Sequence, residues 1–111
     1  MINTLNEYTD EQGSSPYADW LRSLRDAKAC VRIIMQVDRM ELDLFGDSKS
    51  IGGGLSELRI HYGRGYRVYY AKEGKQIYLL LCGGDKSTQS KDIKRAKNYW
   101  QDHKRRHLHG T

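Results

Sequence analysis

Apolar residues recur along this chain with two periods, and the change from one to the other separates a helical first half from a strand-rich second half. Residues 2–8 alternate weakly, as an edge strand does, and a polar, glycine-containing turn follows from Thr9 to Ser15. Ser15-Pro16 reads as an N-cap with proline at the first helical position, and Tyr17, Trp20, Leu21 and Leu24 then fall at i, i+3, i+4 and i+7. That spacing predicts a short amphipathic helix. A second apolar series, Cys30, Ile33, Ile34, Val37, Met40 and Leu44, keeps helical period as far as Phe45-Gly46, where glycine supplies a left-handed C-cap. Two such helices in succession predict a hairpin.

Gly46 to Gly54 reads as loop, and its glycines lack the strand-turn-helix context of a phosphate-binding fingerprint. From Leu55 the period becomes two: Leu58, Ile60 and Tyr62 point one way, and Glu57, Arg59 and His61 the other. Gly63-Arg64-Gly65 makes a turn into a strand with Tyr66, Val68 and Tyr70 on one face and Arg67 and Tyr69 on the opposite one. After a turn at residues 72–75, Ile77 to Cys82 is apolar on both faces, as a central strand is. Gly83-Gly84 ends it, Asp85 to Thr88 forms a polar loop, and Ser90 caps a last helix whose Ile93, Ala96 and Trp100 face the core. The predicted order is β-α-α-β-β-β-α, an α+β domain built on an antiparallel sheet.

Composition narrows the function. The 111 residues fit one domain, residues 1–111, with a basic tail at about 104–111 expected to be frayed. No apolar run approaches the roughly 20 residues that span a bilayer, and the N-terminus has no basic start before an apolar stretch, so a cytoplasmic protein without membrane contact is expected. Residues 1–84 carry 11 basic and 11 acidic side chains, whereas residues 85–111 carry 8 and 3, so the whole +5 excess is C-terminal. Concentrated positive charge attracts polyanions by releasing their counterions, which points to nucleic acid or the ribosome. Cys30 and Cys82 sit in apolar patterns and read as reduced core thiols.

Setting the polar strand faces side by side brings Glu57, Arg59, His61 and Arg67, with the loop residues Asp85 and Lys86, toward one end of the sheet. Cleavage of RNA by its own 2′-OH needs a proton acceptor, cations for the pentacovalent phosphate and an acid for the leaving oxygen. Arginine and lysine on strands stabilise that charge without a metal or any other cofactor. Tyr69 is the one candidate for base stacking, and Arg64, Asp85, Ser87, Lys91 and Lys94 are candidates for RNA binding. An ordinary salt-bridge network of Arg59 and Arg67 with Glu57 and Asp85 accounts for the same residues without function. His103, His107 and His109 lie without convergent cysteine or carboxylate, so no metal site is expected.

The segments Gly54-Leu55-Ser56-Glu57-Leu58-Arg59-Ile60, Gly65-Tyr66-Arg67-Val68-Tyr69-Tyr70 and Leu80 to Ile93, after the Trp20-Leu21-x-x-Leu24 helix, resemble the HigB-like branch of the RelE/ParE toxin superfamily. The resemblance implies a RelE-like fold and a cognate helix-turn-helix antitoxin encoded beside the chain, with operator DNA reached only through that antitoxin. For the RelE and HigB branches it further implies cleavage of messenger RNA in the ribosomal A site, an mRNA interferase activity that inhibits translation and arrests growth. It also implies that Arg67 and Lys86 hold the scissile phosphate and that Arg59 assists. The chain departs from RelE in two respects. The tyrosine RelE places a few residues beyond its last catalytic arginine has no counterpart nearer than Tyr99, and Glu57 and His61 stand where RelE has lysines. Either is then a candidate proton acceptor, His61 having the more suitable unperturbed pKa near 6.5. Two other readings fit the fold: a ParE-like protein that inhibits DNA gyrase without catalysis, and an inactive homologue that binds RNA or ribosomes without cutting.

Overall fold

A computed structural model of the chain describes residues 2–107, whose elements run β1 (Thr4–Glu7), α1 (Pro16–Ser23), α2 (Ala27–Asp38), β2 (Asp47–Gly52), β3 (Leu55–Ile60), β4 (Tyr66–Gly74), β5 (Ile77–Gly84) and α3 (Gln89–His107). Local chemistry sets the helix starts. The Ser15 hydroxyl accepts from the Ala18 amide ahead of Pro16, and the Asp26 carboxylate accepts from the amides of Lys28 and Ala29. The second helix is shorter than its apolar spacing predicts. It ends at Asp38 and tightens into a 3-10 turn over Arg39–Leu42, closed by Asp43 with φ +64° rather than by Gly46. Leu44 therefore lies beyond the helix and is 56% exposed.

Five strands form one sheet in the order β1-β5-β4-β3-β2, with β1 parallel to β5 and every other pair antiparallel. The α+β class stands, but the all-antiparallel sheet is corrected to a mixed one, and the expected Gly46–Gly54 loop contains strand β2. That strand is held by backbone pairing to β3 alone, and its residues are exposed or half-buried, so it carries no apolar alternation. A polar edge with a lysine at Lys49 also discourages pairing with other chains.

The sheet is covered on both faces. On one, α1 and α2 pack over Leu58, Ile60, Val68, Tyr70 and Leu80. On the other, Ala96 and Trp100 of α3 pack over Leu55, Tyr69, Ala71, Leu79 and Leu81. Tyr66 and Tyr70 thus lie in a different layer from Trp100, although all three are buried as expected. Trp20 of α1 lies flat against the end of β5, where a Cβ on Gly83 would stand 2.3 Å from its ring.

The last helix runs to His107, so residues 104–107 are helical rather than frayed, and residues 108–111, with His109, lie outside the described residues. Its second half is tied down. The Tyr8 hydroxyl donates to Asp102 at 2.7 Å, Arg106 pairs with the same carboxylate, and buried His103 meets Glu73 of β4 at 2.7 Å.

Candidate functional site

One row of backbone pairs crosses the sheet near its end: Asp47 of β2 opposite Arg59 of β3, Arg59 opposite Arg67 of β4, and Arg67 opposite Gly84 of β5. Arg59 and Arg67 point to the face that α3 covers, and Glu57 lies two residue pairs further in, on the same face. The Glu57 carboxylate is completely buried and is the hub of a network. It accepts from Arg59 Nε at 2.8 Å and from Gln89 Nε2 at 2.7 Å, and Arg67 Nε stands 3.5 Å away. Burial alone would raise its pKa. The hydrogen bonds from Arg59 and Gln89 and the charges of Arg67 and Arg59 outweigh that cost and hold the carboxyl below its ordinary range.

An ionised, enclosed carboxylate with three donors around it is an anchor for arginines and a poor proton acceptor. Glu57, a candidate for taking the 2′-OH proton, is enclosed by these partners rather than open to solvent. Arg67 is positioned rather than exhausted: its side chain is 11% exposed, Nη1 donates to the Gly65 carbonyl at 3.2 Å, and Nε is buried without a hydrogen-bond partner. A second buried polar atom without a partner is the Tyr69 hydroxyl.

Tyr69 was the candidate for stacking and is corrected as well. It is fully buried under α3, and burial, reinforced by the charges of Glu57 and Asp92, pushes its phenol up, so it stays protonated. Alternation correctly put it on the polar face; the last helix then covers that part of the face.

The turn between β3 and β4 and the loop between β5 and α3 meet above Arg67. A Cβ added at Gly65 would lie 3.6 Å from Lys86 Cβ and 4.0 Å from Arg67 Nη1, and Gly65 has φ +75°, so the turn needs a glycine and lies between the base of the Lys86 side chain and the Arg67 guanidinium. Arg64, Asp85, Lys86 and Ser87 line a shallow cavity of about 410 Å³ at this junction. Lys86 is exposed and makes no ion pair among the described residues, while Arg64 Nη1 stands 3.9 Å from Asp85.

Asp85 is tied into its own loop. Its carboxylate accepts from the Ser87 hydroxyl at 2.5 Å and the Ser87 amide at 2.8 Å, forming a cap on the 3-10 turn Lys86–Thr88. The Ser87 hydroxyl, partly offset by burial and supported by the backbone and by Arg64, lowers the Asp85 pKa. Asp85 thus anchors the loop, and Ser87 is engaged in the same cap.

Behind this loop stands Asp92, 3% exposed, which accepts from Thr88 Oγ1 and pairs with Arg95 at 3.4 Å. It fills the space a side chain on Gly84 would need, since a Cβ there would meet its carboxylate at 1.8 Å. Sequence reasoning missed both Gln89 and Asp92. Only their place in the first turn of the last helix marks them, and ordinary helix-start residues occupy the same positions.

His61 follows the end of β3, is exposed, and meets Asp47 Oδ2 at 2.6 Å. It stands two strand spacings, about 10 Å, from β5, the strand that leads to Lys86. Lys91 and Lys94 are exposed on α3, Lys91 lining a groove with Gly84 and Asp92 beside the loop. The structure therefore brings together Arg59, Arg67, Arg64 and Lys86, with Lys91 at the edge, and sets His61 apart. Among the described residues no group of three or more His, Cys, Asp or Glu side chains is placed to hold a metal, and no helix is long and apolar enough to cross a membrane.

Residues 19–101 match the model of a family described as "Phage derived protein Gp49-like", a span that contains every residue of this site. An uncharacterized protein of Haemophilus influenzae is 47% identical over 81 residues, which cover 73% of this chain and 82% of that protein.

Proposed function

Because the chain belongs to the Gp49-like phage-derived protein family, a RelE/Gp49 type of toxin from toxin–antitoxin systems, we propose that it is a toxin that cuts messenger RNA on the ribosome, with Arg67 and Lys86 as the residues that hold the scissile phosphate. The observation that carries this reading is the position of Lys86 and Arg67 on either side of Gly65, Lys86 exposed and Arg67 beside the buried Glu57 carboxylate. Membership of the family makes an antitoxin the expected partner; the ribosome and messenger RNA belong to the proposal.

In the proposed reaction the 2′-oxygen attacks the adjacent phosphorus as its proton passes to water, and the bond to the 5′-oxygen breaks as that oxygen takes a proton from water. A 2′,3′-cyclic phosphate and a 5′-hydroxyl result. Negative charge builds on the phosphoryl oxygens, and preorganised cations stabilise it most effectively when they need not move. Glu57 supplies that preorganisation: held by Arg59 and Gln89, it stands 3.5 Å from Arg67 Nε and fixes that end of the guanidinium. Arg64, Lys91 and Lys94 extend the positive surface along the backbone of the RNA and orient it without reading sequence.

A ParE-like gyrase inhibitor shares the fold but has no use for a phosphate clamp, so the Arg67 and Lys86 pair favours cleavage. The test is induced expression without antitoxin, followed by primer-extension mapping of messenger RNA ends for wild type, Arg67→Ala and Lys86→Ala. New ends within translated frames that vanish in both variants support the reading. Growth arrest with intact messages and damaged DNA would refute it in favour of gyrase.

A further inference from the structure

Helix α2 turns Ala29, Ile33 and Val37 into the core, yet its outward side is apolar too: Val31, Ile34 and Met35 are 55%, 44% and 51% exposed. At i, i+3 and i+4 these three form a continuous strip on the helix surface. Isolated exposed apolar residues are ordinary, but a contiguous strip on one element marks a contact surface. Val31 and Met35 form the floor of a groove of about 650 Å³, bordered by Lys28, Arg32 and Arg39 with no carboxylate in its lining. Arg32 is held at the rim by stacking over the Tyr62 ring, 4.8 Å from its centroid. None of the three cations makes an ion pair among the described residues.

We propose that this groove docks an acidic amphipathic helix of the antitoxin, a proposal that rests on the toxin reading for the identity of the partner. Aliphatic residues at the centre ringed by cations complement a helix with apolar anchors at i, i+3 or i+4 and i+7 flanked by glutamate or aspartate. The 12 residues of α2 span about 18 Å, enough to seat about three turns of such a helix. RNA fits less well, since bases stack on aromatic faces and the floor here is valine and methionine.

The probe is the product of the reading frame that adjoins this chain's own, purified separately and titrated into three forms of the toxin: wild type, Val31→Asp with Met35→Asp, and Lys28→Glu with Arg32→Glu and Arg39→Glu. All five substitutions are at surface positions outside the candidate cleavage site, and circular dichroism with melting verifies that each form is folded. The aspartate pair is expected to weaken binding at least about 30-fold. The charge reversal is expected to weaken it and to abolish the loss of affinity with added salt. Both variants should still arrest growth and escape neutralisation.

Wild-type binding by both variants would overturn the proposal and leave the toxin reading intact if growth arrest persists. Binding that is lost in the variants of a wild type that arrests no growth would uphold the surface and sink the toxin reading. Failure of the probe to bind wild type would overturn the proposal. So would a wild-type dimer that the aspartate pair converts to monomer, because the occupant is then a second copy. A loss confined to RNA binding would assign the surface to RNA instead and equally overturn it.

Discussion

Replacing Glu57 tests whether the arginines are held in place from behind. In Glu57→Ala, Arg59 Nε and Gln89 Nε2 lose acceptors at 2.8 and 2.7 Å, and the charge of Arg67 loses its carboxylate at 3.5 Å in a side chain only 11% exposed. Removing one partner of a buried pair costs about 3–5 kcal/mol. Arg59 is 31% exposed and regains some hydration, so a loss of about 2–4 kcal/mol is expected here. For a domain of this size that lowers the melting temperature by on the order of 10 °C. Glu57→Gln keeps the shape and one acceptor, so it should cost about half as much. The two variants also differ from wild type in acid. Because the folded state holds the Glu57 pKa below its ordinary value, its contribution to stability is complete above that ordinary value and fades as the pH falls through the folded one. Glu57→Gln should therefore show a shallower loss of stability below about pH 4.5. Thermal melts and urea unfolding at several pH values, both followed by tryptophan fluorescence, read these quantities. A melting temperature within 2 °C of wild type in Glu57→Ala, with an unchanged acid limb in Glu57→Gln, would refute the anchoring role.

Lys86→Ala should leave stability within about 0.5 kcal/mol while lowering cleavage about 100- to 1000-fold, because the side chain is exposed and makes no ion pair among the described residues; thermal melts and cleavage rates on the same preparation check this. Gly84→Ala places a methyl against Asp92 and should cost about 1–3 kcal/mol, of which adding Asp92→Ala recovers part in a double-mutant cycle measured by urea unfolding. Burial pushes the Cys82 thiol up to about 12, so at pH 8 iodoacetamide should leave Cys82 unlabelled in the folded protein and label it in urea, as peptide mass spectrometry would detect.

What was legible in the sequence is whatever rests on local chemistry. Ser15-Pro16 capped α1, the turn between β3 and β4 fell at Gly63 to Gly65, and the alternation in residues 55–70 gave the correct facing of Leu58, Arg59, Arg67 and Val68, whereas the turn read at residues 72–75 lies at Lys75–Gln76, beyond the end of β4. Long-range geometry was not legible. Strand β2 is an edge strand with little to bury, and the parallel pairing of β1 with β5 joins segments more than 70 residues apart. The errors at the site share one cause: alternation tells which face a side chain occupies but not what covers that face. The last helix turns Tyr69 from a stacking surface into core and encloses Glu57 as an anchor. The cap on residues 86–88 likewise withdraws Asp85, through hydrogen bonds that span two residues and leave no periodic trace.

The most direct test of the central claim is the chemistry of the cut ends. Purified toxin is incubated with translating ribosomes carrying a defined message, in all-ribose form and with a single 2′-deoxy residue on the 5′ side of the mapped cut. The account predicts a 2′,3′-cyclic phosphate and a 5′-hydroxyl from the ribose message, no cut in the deoxy message, and neither product with Arg67→Ala. Cleavage of the deoxy message, or full cleavage by Arg67→Ala, would contradict it.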